Sequence, residues 1–253
     1  RHGEAPLPVV AACTPADCFD VAIEAARIAL TYHTPVILLS DGYLANGSEP
    51  WRLPEVDSLA PIPVEFATEF NHTNADGEPE YWPFLRDENL VRPLAPPGTP
   101  GLMHRIGGIE KQDGSGNVSY DTENHGHMVA VRAERISQIE VPDVEVIGHP
   151  EADVLVVGWG STWGAITGGV RRVVNAGHKV AQVHLTHLNP FPKNLGEVLA
   201  RHKTVLVPEM NLGQLAKMIR AEYLVDAQAI GKVTGQPFTA GEIEQVTLGA
   251  LDD

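Results

Sequence analysis

The sequence is poor in cysteine, in aromatic residues and in positive charge. Its 253 residues hold two cysteines, Cys13 and Cys18, spaced C-x4-C within VVAACTPADCF. Zinc and iron–sulfur sites draw on four ligands, usually in tighter pairs, so no such centre is expected from this pair alone. Both are expected as small residues of the core. Nothing in the cysteine usage points to an oxidising compartment. Lys and Arg number 18 against 33 Asp and Glu, a formal charge of −15, which argues against nucleic acid as a partner, because phosphate-backbone contact needs concentrated basic residues. No apolar run approaches the roughly 20 residues that span a bilayer, so no membrane partner is expected. Acidity of this order is ordinary for bacterial cytoplasmic proteins, and a cytoplasmic location is expected. An initiator methionine and a signal-like segment are also lacking. Arg1-His2-Gly3-Glu4 reads as the middle of a loop, and the chain as the C-terminal part of a longer one.

What is present is a soluble-type composition, 43% hydrophobic and 20% charged, enough for one large domain or two ordinary ones. Leu7–Ala12 is a short apolar strand. Thr14 as N-cap, Pro15 at the first helical position and Asp17 near the positive end then start a helix. Its buried stripe is Phe19, Ala22, Ile23, Ala26 and Leu30, and it must close before Pro35. Val36–Leu39 has no polar alternation, the pattern of a strand buried on both faces. Strand, helix and strand in so short a span form a right-handed parallel crossover. The rest of that sheet must come from upstream or from the second half of the chain. The second strand breaks into Ser40-Asp41-Gly42 and a polar loop to Glu49. Loops at strand carboxyl ends are where open α/β sheets bind ligands. Asp41, Gly42 and Asn46 are therefore candidate cofactor contacts, with plain turn chemistry the alternative.

From Arg52 to about Pro150 prolines crowd and periodicity fades, as in a long connecting arm. Within it Gly107–His127 is a Gly-, Asp- and Asn-rich loop or hairpin. A helix over 126–136 is expected to carry Arg132 and Arg135 on its surface. His104, His125 and His127 are not placed to converge on a metal, and no metal ligands are assigned. A second α/β region opens at Asp153. Strands are expected over 153–160, 179–185 and 204–207, and helices over 165–174, 194–201 and 212–224. Glu209-Met210-Asn211 caps the last helix, and the tail from Val225 is mixed. GWGSTWG (158–164) misses the dinucleotide spacing, its tryptophans would crowd a pyrophosphate, and no acidic residue follows the next strand. A glycine turn for close strand-to-helix packing is the preferred reading.

Three stretches carry a family resemblance. RHGEAPLPVVAACTPADCFDVAIEAARIALTYHTPVILLSDGYLANGSEPW, GGIEKQDGSGNVSYDTENH and EMNLGQLAKMIRAEYLVDAQAIGKVTGQPF resemble the alpha subunit of 2-oxoacid:ferredoxin oxidoreductases, nearest the 2-oxoglutarate type, across essentially the whole chain. Lys111 departs from the family's more usual His in Gly-Leu-Glu-His. The resemblance implies an α/β fold: the end of a thiamine-diphosphate pyrimidine-facing domain with a parallel sheet (1–55), a connecting arm with a functional loop (56–150), and a transketolase-C-terminal-like domain (151–253). It implies oxidative decarboxylation of a 2-oxo acid, 2-oxoglutarate, to succinyl-CoA with electrons to ferredoxin. Thiamine diphosphate would be shared with a beta subunit that holds Mg²⁺ and a 4Fe-4S cluster. CoA and the N-terminal remainder of the alpha subunit would be the other partners, and the glutamate that activates thiamine would lie upstream. Arg1 and His2 would be the nearest cations for a substrate carboxylate, with pairing to Glu4 or solvent as the alternative. Glu110, Asp113 and His125 would gate or orient groups at the active site. The rival readings are a non-catalytic module that docks a partner chain and a nucleotide-binding domain built on GWGSTWG.

Overall fold

The computed structural model describes residues 4–149 and 151–252. Arg1 and His2, the candidate cations, lie outside the described residues. In chain order the elements are β1 (Val9–Ala11), α1 (Asp17–Thr31), β2 (Ile37–Leu39), α2 (Gly42–Asn46), β3 (His72–Thr73), β4 (Pro79–Glu80), α3 (Thr122–Ser137), β5 (Ile147–Gly148), β6 (Val154–Trp159), α4 (Trp163–Asn175), β7 (Val180–Leu185), β8 (His187–Asn189), α5 (Leu195–Ala200), β9 (Thr204–Glu209), α6 (Gln214–Tyr223), β10 (Ala227–Gly231) and α7 (Ala240–Asp252). They group into two compact units that interleave along the chain. One gathers Arg1–Pro8, Glu24–Ile37 and Pro54–Glu140, the other Val9–Ile23, Leu38–Leu53 and Val141–Asp253.

The start of α1 is fixed by reciprocal bonds. Thr14 Oγ1 accepts the Asp17 N–H (3.2 Å) while the Asp17 carboxylate accepts the Cys13 N–H (2.8 Å). Together they satisfy backbone donors that a bare helix start leaves open. Neither cysteine is fully buried as expected: both are free and half-buried. Burial, with the neighbouring Asp17 carboxylate, pushes the Cys13 thiol up to about 12. β2 also departs from expectation. Ile37 and Leu38 are 42% and 37% exposed, because β2 is the edge of a three-stranded sheet ordered β2-β1-β8. The β1–β2 pairing is parallel: Ile37 N–H donates to Pro8 C=O and Ala12 N–H to Leu39 C=O, so both strands advance together. The third strand comes from the second half of the chain, and β8 runs antiparallel to β1.

The larger sheet has the order β10-β9-β6-β7-β5, parallel except for β5. β6 is apolar on both sides, and alternate residues serve opposite faces. Leu155 and Val157 pack in a core with Leu195, Leu199, Leu215 and Ile219 of α5 and α6. Val154 and Val156 pack in another with Ile166, Val170 and Val173 of α4 and Ile243 of α7. Helices on both faces give the three-layer α/β arrangement that a continuous apolar strand demands. β10 and α7 organise the tail that reads as mixed in the sequence.

In the other unit, α3 is longer than its periodicity suggests. Asp121 caps it by accepting the N–H groups of Glu123 and Asn124, which moves the start to Thr122. A small core of Tyr81, Ala95 and Leu102 supports the arm.

Candidate functional site

The Gly107–His127 segment is an ordered hairpin closed onto α3. Lys111 bridges Val118 in antiparallel fashion, and Gly114 bridges Phe84. Gly114 has φ +72°, and a Cβ there would lie 2.6 Å from the Trp82 ring, so this turn admits glycine alone. The Asn124 amide ties the hairpin to the helix, donating to Lys111 C=O (2.8 Å) and accepting the Asp113 N–H (3.0 Å).

Two carboxylates then face the helix, each held by one arginine and one histidine. Glu110 accepts from Arg132 Nη1 (3.1 Å) and meets His125 Nδ1 at 2.7 Å. Burial works to raise its pKa, but the hydrogen bonds from Arg132 and His125 and the Arg132 charge hold it below the ordinary carboxylate value. Asp113 accepts from Arg86 Nη1 (2.8 Å) and meets His127 Nε2 at 3.2 Å. The Arg86 side chain is only 10% exposed. Burial lowers its pKa, as do the Arg132 and Arg92 charges, while Asp113 raises it. Lys111, 5% exposed, donates its ammonium to Gly108 C=O (2.6 Å) and Ile109 C=O (3.2 Å). In this sequence position 111 therefore pins the hairpin's own backbone.

Of the candidates, Glu110, Asp113 and His125 are brought together. His104 is elsewhere, with Nδ1 on Leu102 C=O at 2.8 Å. Among the described residues no group of three His, Cys, Asp or Glu side chains could hold a metal ion. Arg132 and Arg135 are half-buried and not on the surface as expected. They follow His125 and Met128 at helical spacing, on the stripe that ends at fully buried Ile139, so their placement was available from the sequence. Arg86 and Arg92 carried no periodic signal.

The loop after β2 belongs to the other unit. Asp41 Oδ1 accepts the Tyr43 and Leu44 N–H groups (both 3.0 Å) and caps α2, and Asn46 Nδ2 donates to Gly42 C=O (2.7 Å). Asp41 Oδ2 accepts the Ser161 hydroxyl. In the larger sheet β6 is flanked by β7 on one side and β9 on the other, so chain order reverses at β6, a usual place for a ligand crevice. Here that place holds a carboxylate of the chain itself. Glu209 is fully buried and accepts from Leu215 N–H (2.9 Å), Ala216 N–H (3.0 Å), Asn211 Nδ2 (3.1 Å) and Trp159 Nε1 (3.2 Å). The start of α6 has thus already received its anion. In GWGSTWG, a Cβ on Gly158 would lie 2.5 Å from Ile166 and 2.9 Å from His184, the close packing expected of that motif.

Known proteins agree with these elements. Residues 1–114 match the family described as pyruvate flavodoxin/ferredoxin oxidoreductase, thiamine diP-binding, and residues 152–243 match pyruvate:ferredoxin oxidoreductase core domain II. The chain is 53% identical over 253 residues to the 2-oxoglutarate oxidoreductase subunit KorA of Mycobacterium tuberculosis, covering 99% of this chain and 38% of that protein. The chain belongs to the 2-oxoacid:ferredoxin oxidoreductase alpha-subunit family. Another member, the 2-oxoacid:ferredoxin oxidoreductase subunit alpha of Saccharolobus solfataricus, is 29% identical over 96% of this chain and 39% of its own. The chain spans about two fifths of the length of these relatives. A solved structure of 2-oxoglutarate:ferredoxin oxidoreductase from Magnetococcus marinus, with 2-oxoglutarate, coenzyme A and succinyl-CoA bound, superposes with a TM-score of 0.87 at 30% identity. That match covers 98% of this chain and 43% of that one. The α/β fold expected from the resemblance is therefore the fold of this family.

Proposed function

We propose that the chain forms part of the alpha subunit of a 2-oxoglutarate:ferredoxin oxidoreductase. The observation that carries this reading is the 53% identity to a 2-oxoglutarate oxidoreductase subunit along the whole chain. The likeness to a structure that holds 2-oxoglutarate, coenzyme A and succinyl-CoA supports it. In the proposed reaction the substrate carboxylate leaves as CO₂. The acyl carbon gives up two electrons, which pass one at a time to ferredoxin. The CoA thiol loses its proton and takes the succinyl group.

Thiamine diphosphate, when bound, would supply the electron sink for decarboxylation. The start of α6, the place a parallel α/β sheet most often offers an anion, does not fit its diphosphate end. The donors and dipole of the α6 start are already used by Glu209, and an added phosphate would face that buried carboxylate. In this reading the diphosphate, its Mg²⁺ and a 4Fe-4S cluster would be held by the beta subunit. This chain would contribute walls and orienting groups. Glu110 and Asp113, each fixed by an arginine and a histidine, would keep the hairpin closed in one conformation over bound substrate.

The test is to co-express the full-length alpha subunit with its beta partner and follow ferredoxin reduction. Reduction that requires both 2-oxoglutarate and CoA and yields succinyl-CoA is the expected result. A stable, cofactor-loaded complex that turns over no 2-oxo acid would overturn the reading and favour a docking module.

A further inference from the structure

Beside the two carboxylates lies more positive charge than they neutralise. Arg86 and Arg92 each place their guanidinium carbon 5.6 Å from the centre of the Phe84 ring. Arg132 reaches Glu110 from α3, and Arg135 lies three residues further along the helix. Arg135 feels the charges of Arg86, Arg92 and Arg132, and no carboxylate among the described residues offsets them. Four guanidiniums are thus gathered where Glu110 and Asp113 supply two negative charges.

The hydrogen bonds are incomplete in the same place. Arg92 Nη1 and Arg135 Nε are buried with no acceptor among the described residues. Leaving a charged donor buried and unpaired costs more than an ordinary lost hydrogen bond. Arg86 and Arg132 already have carboxylate partners, so the unused capacity belongs to Arg92 and Arg135.

We propose that Arg86, Arg92, Arg132 and Arg135 form a binding site for a phosphate group. Phosphate offers several acceptor oxygens to planar N–H forks. Two of the arginines come from the 84–92 segment and two from α3. Phe84 gives the arginines an apolar floor, which strengthens their interaction with a bound anion. Free inorganic phosphate and the phosphate of a nucleotide-type cofactor share this chemistry. The proposal stands independently of the decarboxylation reading.

The test is calorimetric titration of the assembled alpha–beta complex with inorganic phosphate, against sodium chloride of equal ionic strength. Saturable binding is expected, weakened about tenfold or more in Arg92→Gln/Arg135→Gln. The Lys/Lys pair, which keeps charge but loses the fork, should fall between. Competition by adenosine 3′,5′-bisphosphate that is abolished by the same variant assigns the site to a nucleotide phosphate. Phosphate binding without such competition assigns it to the free ion. If the double variant does not assemble, the ³¹P line width of phosphate with Arg135→Gln replaces it: loss of the broadening seen with the parent supports the site, and unchanged broadening refutes it. Phosphate heats equal to those of chloride, or variants that bind like the parent, overturn the proposal. Turnover with 2-oxoglutarate, measured on the same samples, is a separate readout.

Discussion

Ser161 donates its hydroxyl to the carboxylate of Asp41, 120 residues earlier in the chain. The other oxygen of Asp41 caps α2. One side chain therefore sets the geometry of the SDGYLAN loop and ties it to the turn that follows β6. Asp41→Ala is expected to lower unfolding stability by about 2 kcal/mol, combining a lost cap with a lost charge-assisted bond. Ser161→Ala should cost about 1 kcal/mol. Urea unfolding of both variants and the double variant should give a coupling of roughly 0.5–1.5 kcal/mol. Strict additivity would show that the contact contributes nothing.

Glu209 is a second fixed point, buried with four donors on it. Glu209→Ala leaves those donors without a partner and should destabilise by about 3 kcal/mol or more. Glu209→Gln keeps one acceptor oxygen and should cost clearly less. Denaturant midpoints, with the slope checked for constancy, give the comparison.

His184 supplies a pH dependence. Burial lowers its pKa to about 4, and the Gly160 backbone offsets this only in part. The folded chain thus resists protonation below the ordinary value of about 6.5. This contribution is fully present above pH 6.5 and is lost as pH falls toward 4. Between pH 7.5 and 5 it should remove about 2 kcal/mol of stability. His184→Gln should flatten that part of the profile, and an unchanged slope would assign it to other groups.

The hairpin carboxylates are expected to matter to turnover. Glu110→Ala or Asp113→Ala strands a half-buried arginine and unfastens the hairpin from α3. In the assembled complex either change should lower kcat several-fold while leaving the complex intact by size-exclusion chromatography. Rates equal to the parent's with 2-oxoglutarate and CoA would remove the hairpin from the mechanism.

How much of this was legible varies with the range of the interaction. The Thr14–Asp17 cap and the capping role of Glu209-Met210-Asn211 follow from local chemistry, and both are present. β6, β7 and β9 of the larger sheet follow from continuous apolar runs, while β5 and β10, short or mixed in composition, do not. The exposure of Ile37 and Leu38 did not follow, because an apolar run does not say what covers it. The pairing of β1 with β8 was open for the same reason: strand partners far apart in sequence leave no periodic trace. Glu110, Asp113 and His125 stood out by residue type. Their arginines did not, since Arg86 and Arg92 lie in an aperiodic arm whose path only the fold defines.

The antiparallel union of β1 with β8 also bears on how the chain is made. β1 is made before its partner at His187–Asn189, which follows on the order of ten seconds or more later at ordinary translation rates. Until then one edge of β1 presents bare N–H and C=O groups, a template for the wrong strand. The nascent subunit is therefore most exposed to misassembly during synthesis of the arm, and a chaperone that shields the β1 edge should raise its yield more than one acting after release.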